Sequence, residues 1–195
     1  MHRVHASGEI YPFRTLPDYL RAGLDLVFVG INPGLYSVQQ GHYFARPTSR
    51  FWPAFSRSRL SARVRAALGR DVLRPEDDRA LLAFGIGFTD VVKAPSRSAS
   101  DLSPAHFRRW APRLLARLEA HQPRVACFHG LTAYRGFARY ALHAVRADWD
   151  LGVQPLRVIR TRLVVVPNPS PANAHFRPAD YVRWYDRIAA LLRAD

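Results

Sequence analysis

Two short runs of consecutive apolar residues constrain this chain more than any other feature. Leu26-Val27-Phe28-Val29 closes on Gly30 and leads into Ile31-Asn32-Pro33-Gly34-Leu35, and Leu163-Val164-Val165-Val166 leads into Pro167-Asn168-Pro169-Ser170-Pro171. An unbroken apolar strand must be covered on both faces, the condition of a parallel sheet held between helices. Each run then delivers an asparagine into a proline-rich turn.

The rest of the chain fits the same scheme. Phe84 to Val92, interrupted by Gly85 and Gly87, and Val125 to Phe128 read as strands, with Leu156 to Ile159 as an edge strand. Ser103-Pro104 starts a helix to about His121, with Phe107, Trp110, Leu114, Leu115 and Leu118 at helical spacing. A further helix follows Gly130, carrying Tyr134, Phe137 and Tyr140. Pro178 opens the last one, with Tyr181, Val182, Trp184, Ile188, Leu191 and Leu192 facing inward. Thr48 or Ser49 caps a helix through Phe55, and Arg57 to Arg74 is a basic, partly helical connection. Pro75 opens a helix with Glu76, Asp77 and Asp78 in its first turn. Strands alternating with helices predict one α/β domain, a three-layer α/β/α sandwich around a mostly parallel sheet. Residues 1 to about 15 are expected to form an irregular arm, and residues 31 to 48 a long loop of the kind that usually carries function.

In open sheets of this type ligands bind beyond the carboxyl ends of the strands. Asn32, Asp90, His129 and Asn168 all fall just past predicted strand ends and should therefore converge. Asn32 alone also reads as a structural turn starter, as does Asn168.

Length and charge narrow the class. At 195 residues the chain is one ordinary domain, and its net charge of +14 suits a polyanion, nucleic acid first and an anionic membrane surface second. Arginine excess also arises from genome base composition, and Lys93 is the only lysine. Cys127 is the only cysteine, which excludes an internal disulfide and a cysteine-ligated cluster; inside its apolar run it reads as a core thiol and fits a reducing compartment. No apolar run approaches the roughly 20 residues of a membrane span, and no signal-peptide core is visible, so a soluble cytoplasmic protein is expected. Gly-x-Gly-x-x-Gly, a Walker loop and a His-Glu-x-x-His spacing are all missing, so no cofactor or metal is expected.

Taken together, Gly30-Ile31-Asn32-Pro33-Gly34-Leu35, Gly41 to Phe44, Arg50-Phe51-Trp52, Gly87-Phe88-Thr89-Asp90-Val91-Val92 and Pro167-Asn168-Pro169-Ser170 resemble, in order and spacing, the uracil-DNA glycosylase superfamily, and within it the mismatch-specific uracil/thymine DNA glycosylases. The resemblance runs from about residue 24 to 190. It implies that Asn32 holds the water that attacks the deoxyribose C1′, that Phe44 stacks on a flipped base, and that Ile31 and Ser37 help line the pocket. It also implies that the loop from Asn168 to Asn173, with Ser170, Pro171 and Ala172, enters the DNA stack. The implied partner is double-stranded DNA containing uracil or a mismatch, bound by a monomer, with abasic-site repair enzymes acting next. The target bond lies inside the duplex, so the base must be extruded; stacking on an aromatic ring recovers roughly 1–3 kcal/mol of what is lost.

Three departures from the family pattern matter. Pro171-Ala172-Asn173 stands where the bacterial mismatch-specific family usually has Gly-Leu-Ser-Arg, so the bulky wedge is missing and weaker dependence on an opposite guanine is expected. Asn168 stands where the most active members have histidine; its amide can still donate a hydrogen bond. Asn32 is an amide and takes no proton, which leaves room for a carboxylate. Asp90 is the candidate, as activator of the water or stabiliser of the sugar cation; the alternative is a turn cap or a partner of Lys93. Lys93 itself reads as a phosphate contact or as that partner. A lyase needs an amine, so with one lysine the expectation is monofunctional excision. Tyr43 and His42 are expected to border the pocket, with His129 a weaker candidate. Arg46, Arg50 and His175 with Arg177 are expected phosphate contacts, and Arg57, Arg59, Arg63 and Arg65 extend a basic face or are simply solvated. Trp52, Trp110 and Trp184 read as core. Rival readings are a glycosylase for another deaminated base, such as hypoxanthine or xanthine, and an inactive DNA-damage binder of the same fold.

Overall fold

The structure is a computed structural model that describes residues 11–194. Five strands form one sheet: β1 (Leu26–Gly30), β2 (Ile86–Asp90), β3 (Val125–His129), β4 (Gly152–Val158) and β5 (Thr161–Val166), in the spatial order β2-β1-β3-β5-β4. The first four in that order pair in parallel, and β4 runs antiparallel at one edge, where the sequence placed an edge strand. Among the described residues six α-helices accompany them: α1 (Leu35–Gln40), α2 (Phe51–Arg57), α3 (Ala62–Leu68), α4 (Pro104–His121), α5 (Leu131–Ala141) and α6 (Pro178–Arg193).

Strand residues alternate between two cores. Val27, Val29, Ala126, Phe128, Leu163 and Val165 pack against Trp110, Leu114 and Phe137 of α4 and α5. Leu26, Phe28, Phe88, Cys127, Val164 and Val166 pack on the other side against Phe51 and Phe55 of α2 and Tyr181, Tyr185 and Ile188 of α6. With both faces covered, every residue of β1, β2 and β3 is buried, which is why these strands carry no polar alternation. Phe28 lies at the centre of the second core, edge-on to Phe51 at 5.1 Å and to Phe55 at 5.9 Å.

Several local expectations are corrected. The stretch from 31 to 48 is no continuous loop, because it contains α1. Arg50, rather than Thr48 or Ser49, occupies the cap position of α2, but Ser49 Oγ accepts from the first helical N–H, that of Phe51, at 3.4 Å. Pro75 does open a helix with Glu76, Asp77 and Asp78 in its first turn, wound as a 3-10 helix through Phe84. Of the supposed arm, residues 1–10 lie outside the described residues; 11–15 are irregular but not loose, since Tyr11 and Thr15 are buried and Tyr11 packs edge-on to Trp110 at 5.1 Å. This segment continues to β2, where Tyr19 exchanges two backbone hydrogen bonds with Phe88. Gly87 permits that approach, because a Cβ there would overlap the Tyr19 carbonyl oxygen. No helix among the described residues is long and apolar enough to cross a membrane.

Phe28→Ala should lower stability by about 3–5 kcal/mol, the usual cost of emptying an aromatic core position. Guanidinium unfolding of the two proteins measures it.

Candidate active site

The register of β1 and β2 sets the site. Gly30 and Asp90 are aligned partners at the carboxyl ends of the two strands. Beyond them the chains stay paired: Val91 N–H bonds to Gly30 O, Val92 N–H to Ile31 O, and Ser96 N–H to Pro33 O. A cleft of about 610 Å³ opens at this edge. Asn32, Asp90, His129 and Asn168, expected to converge, all line it, together with Ile31, Ser37, Tyr43 and Phe44.

Asn32 is held in one orientation. Its Nδ2 lies 2.8 Å from Ser96 Oγ, 3.1 Å from Ala94 O and 3.3 Å from Pro33 O. Two of the three are carbonyl oxygens, which can only accept, so the nitrogen must face them, and Oδ1 is left without a protein partner among the described residues. An oxygen so placed accepts a hydrogen bond from a water. Ser96, which donates onward to Ser98 O at 2.7 Å, was not singled out by sequence; the only hint was a serine following Pro95.

Across the strand pair, the Asp90 side chain is 3% exposed and its Oδ2 lies 3.4 Å from Lys93 Nζ. Gly30 makes room for it, since a Cβ at that position would come within 2.5 Å of Asp90 Oδ1. Burial pushes the Asp90 carboxyl up to about 6, with the Lys93 charge opposing the rise. The expectation that Lys93 contacts phosphate is corrected: it is fully buried, held by Asp18 Oδ1 at 2.9 Å, with Tyr43 Oη at 3.3 Å. The alternative reading, a partner of Asp90, is what the geometry shows. Asp18 had no sequence signal, because it sits on an irregular segment whose position depends on the pairing at Tyr19.

The base-stacking candidate Phe44 has a positive φ of 53°, uncommon for a bulky residue. Its ring is stacked on Phe51 at 4.3 Å, stands T-shaped to His129 at 5.0 Å and lines the cleft. Tyr43 is buried, its hydroxyl donating to Pro17 O at 2.9 Å and its ring stacked on Phe88 at 5.1 Å. Ser37 Oγ accepts from Ala45 N–H at 3.2 Å. His42 does not border the cleft; its Nδ1 turns to Asp78 at 3.2 Å.

His129 is more prominent than its sequence rank. It is buried at the end of β3, with Nε2 3.1 Å from the Tyr185 hydroxyl, and Nδ1 has no hydrogen-bond partner among the described residues. Burial pulls its pKa down to about 3, so the ring is neutral at physiological pH. Cys127 is a buried core thiol with its pKa pushed up by burial, as its apolar run suggested.

The second turn is built around Asn168. Its Oδ1 accepts from Ser170 N–H at 3.0 Å, and its carbonyl accepts from Asn173 Nδ2 at 3.1 Å and Tyr181 Oη at 3.0 Å. The turn reading is therefore right for Oδ1, while Nδ2 remains available at the cleft. Ser170 and Asn173 are half-buried and Pro171 and Ala172 exposed, all four on the cleft margin; His175 is exposed outside the lining. Arg50 also supports this turn. Its Nη1 bonds to Asn173 O at 2.7 Å and Phe176 O at 3.0 Å, and its guanidinium carbon lies 5.7 Å from the centre of the Tyr181 ring. Loop carbonyls take both hydrogens of Nη1, so Arg50 braces the turn, a role the sequence did not suggest. Arg46 is exposed at the cleft, joined there by Arg97, a residue not anticipated. Arg57, Arg59, Arg63 and Arg65 do not line it.

Two titrations should follow. By carboxyl-carbon NMR, Asp90 should lose its proton near pH 6, and the His129 ring should not titrate between pH 5 and 8. The linkage signs oppose each other. The Asp90 value is raised, so its stabilising contribution is present below about pH 4 and lost as pH rises through 6; the His129 value is depressed, so its contribution is present above about 6.5 and lost as pH falls toward 3. Comparing pH-dependent unfolding of the wild type with Asp90→Asn and His129→Gln separates them.

Residues 17–189 match the family model of the uracil DNA glycosylase superfamily. The fold is similar to a solution NMR structure from Methanosarcina acetivorans, provisionally assigned as a uracil DNA glycosylase. It has a TM-score of 0.56 and 21% sequence identity over 90% of this chain and 98% of that one. With most of its length matched, and with the first and second turns meeting at one cleft, the chain belongs to the uracil DNA glycosylase superfamily.

Proposed function

We propose that this protein is a monofunctional DNA glycosylase that extrudes uracil from duplex DNA and hydrolyses its N-glycosidic bond. The observation that carries this reading is the placement of Asn32, with its amide nitrogen tethered and its oxygen free, beside the buried carboxyl of Asp90 on the neighbouring strand.

In this reading the extruded base stacks on Phe44 where its ring lines the cleft. Asn32 Oδ1 accepts a hydrogen bond from a water and Asp90 takes the water's proton as its oxygen bonds to C1′. The C1′–N1 bond breaks, its electron pair leaves with the base, and the products are an abasic sugar and free base. With its pKa near 6, Asp90 is mostly ionised at neutral pH and close enough to it to accept a proton. The Nδ2 of Asn168 supplies a donor at the same cleft for the departing anion. Lys93 is buried and bound to carboxylates, which supports hydrolysis over lyase chemistry, since no other lysine exists to form a Schiff base.

At the mouth, Ala172 is exposed and small, and Pro171 stiffens the turn. A methyl group fills little of the gap left by an extruded base. Uracil opposite guanine is therefore a substrate in this reading, but opposite-base identity changes the rate little.

Single-turnover excision from duplexes carrying G·U, A·U, G·T or hypoxanthine, followed by alkali, tests the reading. Cleavage at uracil in both pairs is expected; cleavage confined to hypoxanthine would replace uracil as the substrate, and tight binding without cleavage would make the protein a binder. Asn32→Ala should reduce the uracil rate by at least about 100-fold, and Asp90→Asn by about 100-fold or more, the usual worth of a positioned acid–base group. The wild-type rate should rise with pH through about 6. In DNA-binding titrations against salt, Arg46→Ala should lower the salt slope by about one, whereas Arg50→Met should weaken binding without changing the slope.

A further inference from the structure

The charges behind Asp90 are unevenly shared. Asp18 and Asp90 are both buried, and Lys93 lies between them, 2.9 Å from Asp18 and 3.4 Å from Asp90. Asp18 also receives a hydrogen bond from Thr89 Oγ1 at 2.7 Å and faces Arg117 of α4 at 3.4 Å. Tyr43, from the turn after α1, brings its hydroxyl within 3.3 Å of the same ammonium. Thus the groups around Asp90 come from four places: Asp18 from the segment ahead of β1, Thr89 and Lys93 from β2 and its continuation, Tyr43 from the turn, and Arg117 from α4. Among the cluster's two carboxylates and two cations, Asp90 alone lines the cleft, while Asp18, Lys93 and Arg117 stand behind it.

We infer that Asp18 and Lys93 are positioning residues for Asp90, a buried charge chain that holds its carboxylate beneath the cleft and sets how readily it takes a proton. The inference rests on the reading of Asp90 as the group that accepts the water's proton. Its physical content is a competition for one ammonium. Burial pushes the Asp18 carboxyl up, but the Lys93 and Arg117 charges outweigh it and hold Asp18 below the usual carboxylate range. Burial pushes Asp90 up and a second carboxylate close by adds to the rise; the longer contact to Lys93 and the neighbouring Tyr43 hydroxyl do not offset them. Two carboxyls in one cluster are thereby driven in opposite directions, which is how a site keeps one as a fixed charge and leaves the other free to titrate. The hydrogen bond from Thr15 Oγ1 to the Lys93 carbonyl, 2.6 Å, anchors the lysine's backbone to the same segment that carries Asp18.

The chain predicts opposite shifts from two neighbouring substitutions, which simple loosening of the fold would not produce. Asp18→Asn frees Lys93 for Asp90 and removes a repelling charge, so the acid limb of the single-turnover pH–rate profile should move to lower pH. Lys93→Met leaves two buried carboxylates without their shared cation, so the limb should move to higher pH. Each displacement should be about one to three pH units, the range an adjacent charge produces. The double variant should fall between the single ones. Asp90 is titrated in the same proteins by carboxyl-carbon NMR, which needs no activity; if Lys93→Met does not fold, Asp18→Asn and the double variant carry the test. Opposite displacements in both measurements support the inference. Displacements in one direction, or none, overturn it. Opposite NMR shifts in a protein that cuts no substrate would keep the charge chain and remove the glycosylase reading.

Discussion

The alignment of Gly30 with Asp90 at the end of the β1–β2 pair is the contact on which the rest of this molecule's site depends. A side chain at position 30 would occupy the space of the Asp90 carboxyl. With none there, the two strands run on in register past the sheet edge, and the backbone of Ile31 to Leu35 stays bonded to that of Val92 to Ser96. That continued pairing brings Ala94 and Ser96 to Asn32, and so fixes the direction of its amide. One missing methyl thus positions both the oxygen that can hold a water and the carboxyl that can take its proton.

The opposite wall is assembled by different forces. The Asn168 turn is closed by its own side chain and by Tyr181, then braced by the Arg50 guanidinium against two carbonyls. Because Arg50 also donates its backbone N–H to Pro169 O, the start of α2 and the second turn are tied together. Phe51, next in sequence, carries the Phe44 ring. The stacking surface and the loop that faces the duplex are therefore coupled through two adjacent residues, with hydrogen bonds from one and aromatic packing from the other.

Electrostatics divides the site by depth. Exposed arginines stand at the rim, where a flexible cation can meet a phosphate and exchange its counterions. Below them the cleft walls carry neutral donors and acceptors: Asn32, Asn168 and an imidazole kept uncharged by burial. Deeper still lies the Asp18–Lys93–Asp90 chain, where removal from water makes each contact stronger and each unpaired charge more costly. The only lysine belongs to this deepest layer, so the basic surface is made by arginine alone.

The sequence by itself determined the buried strands, the need to cover both their faces, the long helices that cover them and the four residues that meet beyond the strand ends, but not the short helix α1. These are consequences of apolar runs and turn residues, which are local in the chain. It also contained both candidate roles for Lys93 and for Asn168, without the means to choose. Tertiary structure made the choices: Lys93 inside against Asp18, Arg50 bonded to the loop through Nη1, His42 drawn away to Asp78, and His129 left with a buried, unpartnered ring nitrogen. Each depends on distances between segments far apart in sequence, and burial sets the charge state of Asp90 and His129 only once those segments have closed around them. Local patterns specify which elements form; which polar group finds a partner, and which is left facing the cleft, is a property of the packed whole.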